Sequence, residues 1–217
     1  MLLAGSVVGV ATHPVPAVKA AAVQRPAVVA APPSVTFIGD SWTYGEGAKS
    51  PAMGYAYLTA RQLGWKYTVL GVRGSGYTRG GGAGITFGMR VAQAAATKAT
   101  VIVVQGSLNE RNGSPTALAA GALDTLKRLH AAAPTSQILV VGASYVPSTP
   151  AATINWINAA ISGAAAKVGL RFVNPAKENW TDPRTPKIWW DPNHPNTIGH
   201  QMVANRMKWL LLGMIKH

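Results

Sequence analysis

Short apolar runs alternate with longer stretches of helical periodicity along most of this chain. Val35–Ile38, Tyr67–Leu70, Thr100–Gln105, Gln137–Val141 and Arg171–Val173 have the length and β-branched content of strands. Met53–Leu63, Thr86–Thr97, Pro115–Ala133, Ala151–Val168 and Thr197–Met214 carry the spacing of amphipathic helices. The run VIVVQ is apolar at consecutive positions, as in a strand covered on both faces. Ser114 followed by Pro115 marks a helix start, a capping hydroxyl before a residue whose missing N–H costs nothing there. This alternation predicts an α/β sandwich with a parallel sheet, and such folds hold their ligands beyond the carboxyl ends of the strands.

The first part of the chain does not follow the pattern. Met1 to Ala11 is apolar, and Ala, Val and Pro dominate from there to about residue 33. Residues 1–33 therefore read as an export signal or Ala/Pro-rich linker, and residues 34–217 as one folded domain. The expected location is secreted or associated with the cell envelope. Pro14 and Pro16 cut the apolar run short of a membrane span, and the closing WLLLGMIK from Trp209 continues an amphipathic helix.

Composition narrows the classes. With 48% apolar and 12% charged residues the chain is globular, and its 217 residues suffice for one sizeable core. A formal net charge of +13 favours anionic partners such as acidic lipid or cell-wall polymer. The basic residues are scattered and not interleaved with aromatics, which argues against nucleic acid. Cysteine is absent, which excludes disulfides and thiolate metal sites. In GVRGSGYTRGGGAG, Gly74 and Gly76 begin a G-x-G element, but Arg79 stands where a dinucleotide fingerprint needs its third glycine.

The candidate chemistry begins in VTFIGDSWTYGEG, where a strand ends by presenting Ser41 after Gly39 and Asp40. Gly-Asp-Ser is common turn chemistry, so a nucleophile needs support from elsewhere in the chain. A hydrolytic serine requires a base, a group that orients the base, and donors for an oxyanion. Among the histidines, His13 lies in the linker, His217 is terminal, and His130 and His200 fall in helices. His194 follows Asp191 in WWDPNHPNT, where Pro192 and Pro195 prevent helix and hold the pair on a loop. Two such ligands, or three with His200, make a poor metal site. Asn109 in QGSLNERNG lies at another strand end, and an amide there can donate to an oxyanion.

Taken in order, Gly39-Asp40-Ser41, a glycine of GVRGSGYT, Asn109 and Asp191-x-x-His194 resemble the motif blocks of the SGNH (GDSL-type) hydrolase family, over about residues 35 to 212. The resemblance implies a flavodoxin-like three-layer α/β/α sandwich of about five parallel strands. It implies Ser41 as nucleophile, His194 as general base and Asp191 as its partner. The Ser41 amide, a glycine amide and Asn109 would be the oxyanion donors, with Gly74 preferred to Gly76. The family's Gly-x-Asn-Asp block has one extra residue here and Glu110 in place of Asp.

No cofactor is expected. Trp42, Tyr77, Trp189 and Trp190 are candidates for lining a substrate pocket, although aromatics more often pack. Arg73, Arg79 and Arg111 border the expected site. The leading reading is a serine-dependent carboxylic-ester hydrolase acting on lipid, sugar or cell-wall esters. An acyltransferase using the same residues and an inactive cationic surface-binding protein are the alternatives.

Overall fold

A computed structural model describes residues 32–215. The export or linker reading of the N-terminal segment therefore falls, up to Ala31, outside the described residues, as do His13 and His217.

Five strands form one sheet: β1 (Ser34–Gly39), β2 (Lys66–Gly71), β3 (Val101–Gln105), β4 (Gln137–Val141) and β5 (Arg171–Val173). Their order is β2-β1-β3-β4-β5, and every pairing is parallel. The helices are α1 (Ser41–Tyr44), α2 (Tyr55–Leu63), α3 (Val91–Ala96), α4 (Pro115–Ala132), α5 (Ala151–Val168) and α6 (Thr197–Ile215). α2 packs on α6, while α3 packs on α4 and α4 on α5. The result is the three-layer α/β/α sandwich that the alternating pattern and the family resemblance imply.

β3 is the central strand, and Val101 to Val104 are wholly buried, which accounts for its unbroken apolar run. Against it pack Phe37 and Ile38 of β1, Leu126 and Leu129 of α4, and Ile154, Ile157 and Ile161 of α5, all fully buried. Each such side chain contributes about 1.5–3 kcal/mol on removal from water.

Helix ends follow local chemistry. The Ser114 side chain accepts the Ala117 N–H at 3.4 Å, with Pro115 in the first turn. α5 stops at Gly169, whose φ of 74° ends the helix in the left-handed region. Two expected helices are shorter than their periodicity. Pro51–Met53 forms a separate 3-10 turn before an extended Gly54, so α2 begins at Tyr55. Likewise Gly88–Arg90 is a 3-10 turn that leads into α3.

The strand order reverses its winding between β1 and β3, and Gly39 of β1 pairs in register with Gln105 of β3. The segments that follow these two residues start side by side at the carboxyl edge of the sheet. This is the switch point at which such sheets open a crevice.

Candidate active site

Ser41 is the first residue of α1, directly beyond β1. Asp40 caps this short helix, its Oδ1 accepting the Trp42 N–H at 2.9 Å. The cap turns the chain sharply and aims Ser41 out of the strand end. A Cβ on Gly39 would collide with the Thr43 side chain, so the tight turn requires glycine there.

Ser41 Oγ lies 3.0 Å from His194 Nε2. On the other side of the ring, His194 Nδ1 lies 2.8 Å from Asp191 Oδ2 and 3.0 Å from Oδ1. The carboxylate fixes Nδ1 as the donor, which leaves Nε2 to accept from the Ser41 hydroxyl. Asp191 Oδ1 also accepts the Asn193 and His194 amides, each at 2.7 Å. Partial burial pushes the Asp191 carboxyl up, but these hydrogen bonds outweigh it and hold the group below the ordinary range. A hydroxyl, an imidazole and a carboxylate in this line can pass a proton from oxygen to nitrogen while the oxygen attacks.

The loop that carries Asp191 and His194 is anchored on several sides. Trp42 Nε1 donates to the Asn193 carbonyl at 2.9 Å, the Ser148 amide to Pro192 at 3.0 Å, and the Trp190 amide to His194 at 3.0 Å. Trp42 thus joins the residue after Ser41 directly to the histidine loop.

The glycine-rich loop after β2 and the segment after β3 are joined at Ser75. Its carbonyl accepts from Asn109 Nδ2 at 2.9 Å and from Ser107 Oγ at 2.8 Å. One hydrogen of the Asn109 amide is spent there, and the other is left over. The extra residue in this block is absorbed by a 3-10 turn, Leu108–Asn112, with Ser107 Oγ accepting the Asn109 N–H at 3.0 Å. Glu110 is buried, accepting from the Thr78 amide at 3.0 Å and from the Thr78 hydroxyl.

The two candidate glycines differ. The Gly76 N–H donates to the Arg79 carbonyl at 2.7 Å, and a Cβ at this buried position would strike the Glu110 carboxylate. Gly74 is half-buried with φ of 70°, and its N–H has no acceptor among the described residues.

Two aromatic residues sit elsewhere than expected of a pocket lining. Tyr77 is buried, its ring 4.9 Å from that of Phe87, and belongs to the core. Trp42 is also buried, packed edge-on against Trp189 and His200. Trp190 is exposed, with its ring 6.3 Å from the His194 ring, at the rim of the site. Of the arginines, Arg73 pairs with Glu46 and covers the Tyr44 ring at 4.5 Å, while Arg79 and Arg111 are exposed.

A GDSL-like lipase/acylhydrolase family model matches residues 37–202. The chain belongs to the GDSL-like lipase/acylhydrolase family. It is an ester-hydrolysing enzyme. Over 182 residues it is 28% identical to a GDSL lipase of Mycobacterium tuberculosis, covering 80% of this chain and 79% of that one. A family two carbohydrate esterase from Clostridium thermocellum shares the fold with a TM-score of 0.70 at 18% identity, covering 85% of this chain and 65% of that one. The salicylyl-acyltransferase SsfX3 from a tetracycline biosynthetic pathway does so with a TM-score of 0.65 at 18% identity, over 86% and 56% of the two chains.

Beneath the site of this GDSL-family chain lies a polar layer that the sequence does not announce. Arg90 is buried and donates from Nη1 to the Gly39 carbonyl at 2.8 Å and to the Leu70 carbonyl, from Nη2 to Ser75 Oγ at 2.8 Å, and from Nε to Thr86 at 3.2 Å. Burial pulls its pKa down to about 10. Burial likewise raises Asp40 to about 6, against the Trp42 amide and the charges of His194 and Arg90. His200 accepts the Tyr55 N–H on Nδ1 at 3.2 Å and donates from Nε2 to the Glu46 carbonyl at 2.8 Å. Burial pulls its pKa down to about 4, so it is a neutral structural histidine. The only hint of it in the sequence is its place four residues into α6.

Proposed function

We propose that the chain is a serine-dependent carboxylic-ester hydrolase in which Ser41 is the nucleophile, His194 the general base and Asp191 its orienting partner. The observation that carries this reading is the unbroken line from Ser41 Oγ to His194 Nε2, 3.0 Å, and from His194 Nδ1 to Asp191 Oδ2, 2.8 Å. His194 takes the Ser41 proton as Oγ attacks the ester carbonyl, and the resulting imidazolium returns it to the leaving alcohol. Water, activated by the same imidazole, then releases the acyl group from Ser41.

The negative oxygen of the tetrahedral intermediate needs donors. We assign the Ser41 amide at the start of α1, the unengaged Gly74 amide and the spare Asn109 Nδ2 hydrogen. One such donor is worth about 3–4 kcal/mol in the transition state. Gly76 is set aside, because its N–H is already bonded to Arg79.

The substrate class within this reading is an acyl or acetyl ester of a lipid, a sugar or a cell-wall polymer, met outside the cytoplasm if the N-terminal segment directs export. Transfer to a sugar hydroxyl instead of water uses the same three residues. Hydrolysis of p-nitrophenyl esters from acetyl to long-chain acyl is the test, with wild type beside Ser41→Ala. Activity is expected in wild type and a loss of at least about 10³-fold in the variant. Equal activity in the two proteins would overturn the nucleophile assignment. Acyl product appearing on an added sugar would convert the reading to transfer.

A further inference from the structure

α6 buries Val203, Ala204, Met207 and Leu211 against the rest of the fold, yet its opposite face, which carries Gln201 and Asn205, also presents large apolar side chains to solvent. Ile198, Met202 and Trp209 are 55%, 40% and 68% exposed. At about 100° per residue the three fall within an arc of about 40°, along roughly 17 Å of helix. Single exposed apolar side chains are ordinary, but a line of them on one helix face is not. Arg206 stands about 60° to one side of the middle of the line and Lys208 about 100° to the other, and the Lys208 ammonium lies 5.4 Å over the Trp209 ring. From Pro192 to His217 the sequence contains no Asp or Glu, and α2, which packs on α6, contributes an exposed Arg61 and no acid. At the site end, α6 starts three residues after His194, where Trp190 is 61% exposed.

We propose that the exposed face of α6 docks the protein on an anionic lipid bilayer. A helix lying in the membrane interface places apolar and indole side chains among the acyl chains and basic ones among the headgroups. Ile198, Met202 and Trp209 supply the first kind, Arg206 and Lys208 the second. Charge selects this occupant over a second copy of the chain, since two faces rimmed by cations, on molecules of net charge +13, repel. A hydrated anionic polymer would satisfy the cations and leave the apolar line in water. Docking through α6 brings the His194 loop to the lipid surface. The proposal concerns binding, and it stands or falls apart from the hydrolase reading.

The test is co-sedimentation of the full-length Ser41→Ala protein with vesicles of phosphatidylglycerol and phosphatidylcholine, and of phosphatidylcholine alone. The silent nucleophile keeps lipid turnover out of the measurement. Binding to the anionic vesicles is expected, with a blue shift of tryptophan emission. Trp209→Ala should weaken it about tenfold or more, and Ile198→Ser with Met202→Ser should weaken it further. Arg206→Gln with Lys208→Gln should reduce binding and flatten its salt dependence. Tyr67→Ala, an exposed aromatic on β2, should leave it unchanged. These side chains are exposed, and circular dichroism of each variant checks the fold. Absence of binding would overturn the proposal, as would binding that salt abolishes but Trp209→Ala does not alter. A dimer in light scattering that Trp209→Ala dissociates would assign the face to a second copy instead.

Discussion

Arg90 Nη2 donates to Ser75 Oγ at 2.8 Å, and through this contact one buried guanidinium holds both the turn after β1 and the glycine-rich loop after β2. Ser75 in turn accepts from Asn109 through its carbonyl. Two of the three segments that frame Ser41 therefore rest on one cation directly and the third through Ser75, and among the described residues this cation faces carbonyl and hydroxyl oxygens without a direct carboxylate partner.

Arg90→Met should be strongly destabilising, because it leaves the Gly39 and Leu70 carbonyls without this donor. About 3 kcal/mol or more is expected from the loss of several buried, charge-assisted hydrogen bonds at once, read as a lowered denaturation midpoint in urea. Arg90→Lys keeps the charge but not the fork that reaches several oxygens at once, and should recover part of the loss.

Two buried groups tie stability to pH in opposite senses. Asp40 is raised from 3.8 to about 6, so the folded state keeps a proton that the unfolded chain releases, and stability falls as pH rises through that window. His200 is lowered from 6.5 to about 4, so the unfolded chain takes up a proton that the folded state refuses, and stability falls as pH drops from 6.5 to about 4. Each amounts to about 3 kcal/mol, and between pH 4 and 6 they nearly cancel. Asp40→Asn should give a melting temperature that climbs between pH 4 and 6.5, by roughly 6–12 °C. His200→Gln should give one that declines between pH 4 and 6. Parallel profiles in wild type and both variants would contradict this account.

Trp42→Phe keeps a ring in the core but removes both the N–H that reaches Asn193 and part of the buried indole's volume. A stability loss of about 1–3 kcal/mol is expected. With the loop of Asp191 and His194 loosened, kcat should fall several-fold more than KM changes, as small displacements of a catalytic group affect the chemical step first. Steady-state kinetics on a p-nitrophenyl ester checks this, and an unchanged kcat would show that the other anchors suffice.

Much of this was legible before the structure. Every strand lies within a residue or two of where the apolar runs place it, and in β1, β3 and β4 the reason is burial on both faces, which leaves little room for other patterns. The pairing of Asp191 with His194 was readable because both lie on one short loop, and its prolines exclude helix. Other outcomes are of another kind. Tyr77 and Trp42 are candidates for a pocket lining with packing the more frequent role of such rings, composition does not say which way a ring faces, and the structure buries both. The choice between Gly74 and Gly76 rests on whose amide Arg79 occupies, a contact across a loop that spacing does not encode. Arg90 sits at a helix start, and nothing local marks it as buried.

The sequence by itself determined the alternation of strands and helices, the turn that presents Ser41 and the loop that carries Asp191 and His194, since each depends on neighbours a few residues apart. Only the tertiary structure decided that Ser41 meets His194 across an interval of 153 residues. It alone decided that one arginine underlies the site and that Ile198, Met202 and Trp209 are left in solvent. The reason is physical: those facts depend on which surfaces the sheet order brings together, and burial is a property of the packed chain rather than of any stretch of it.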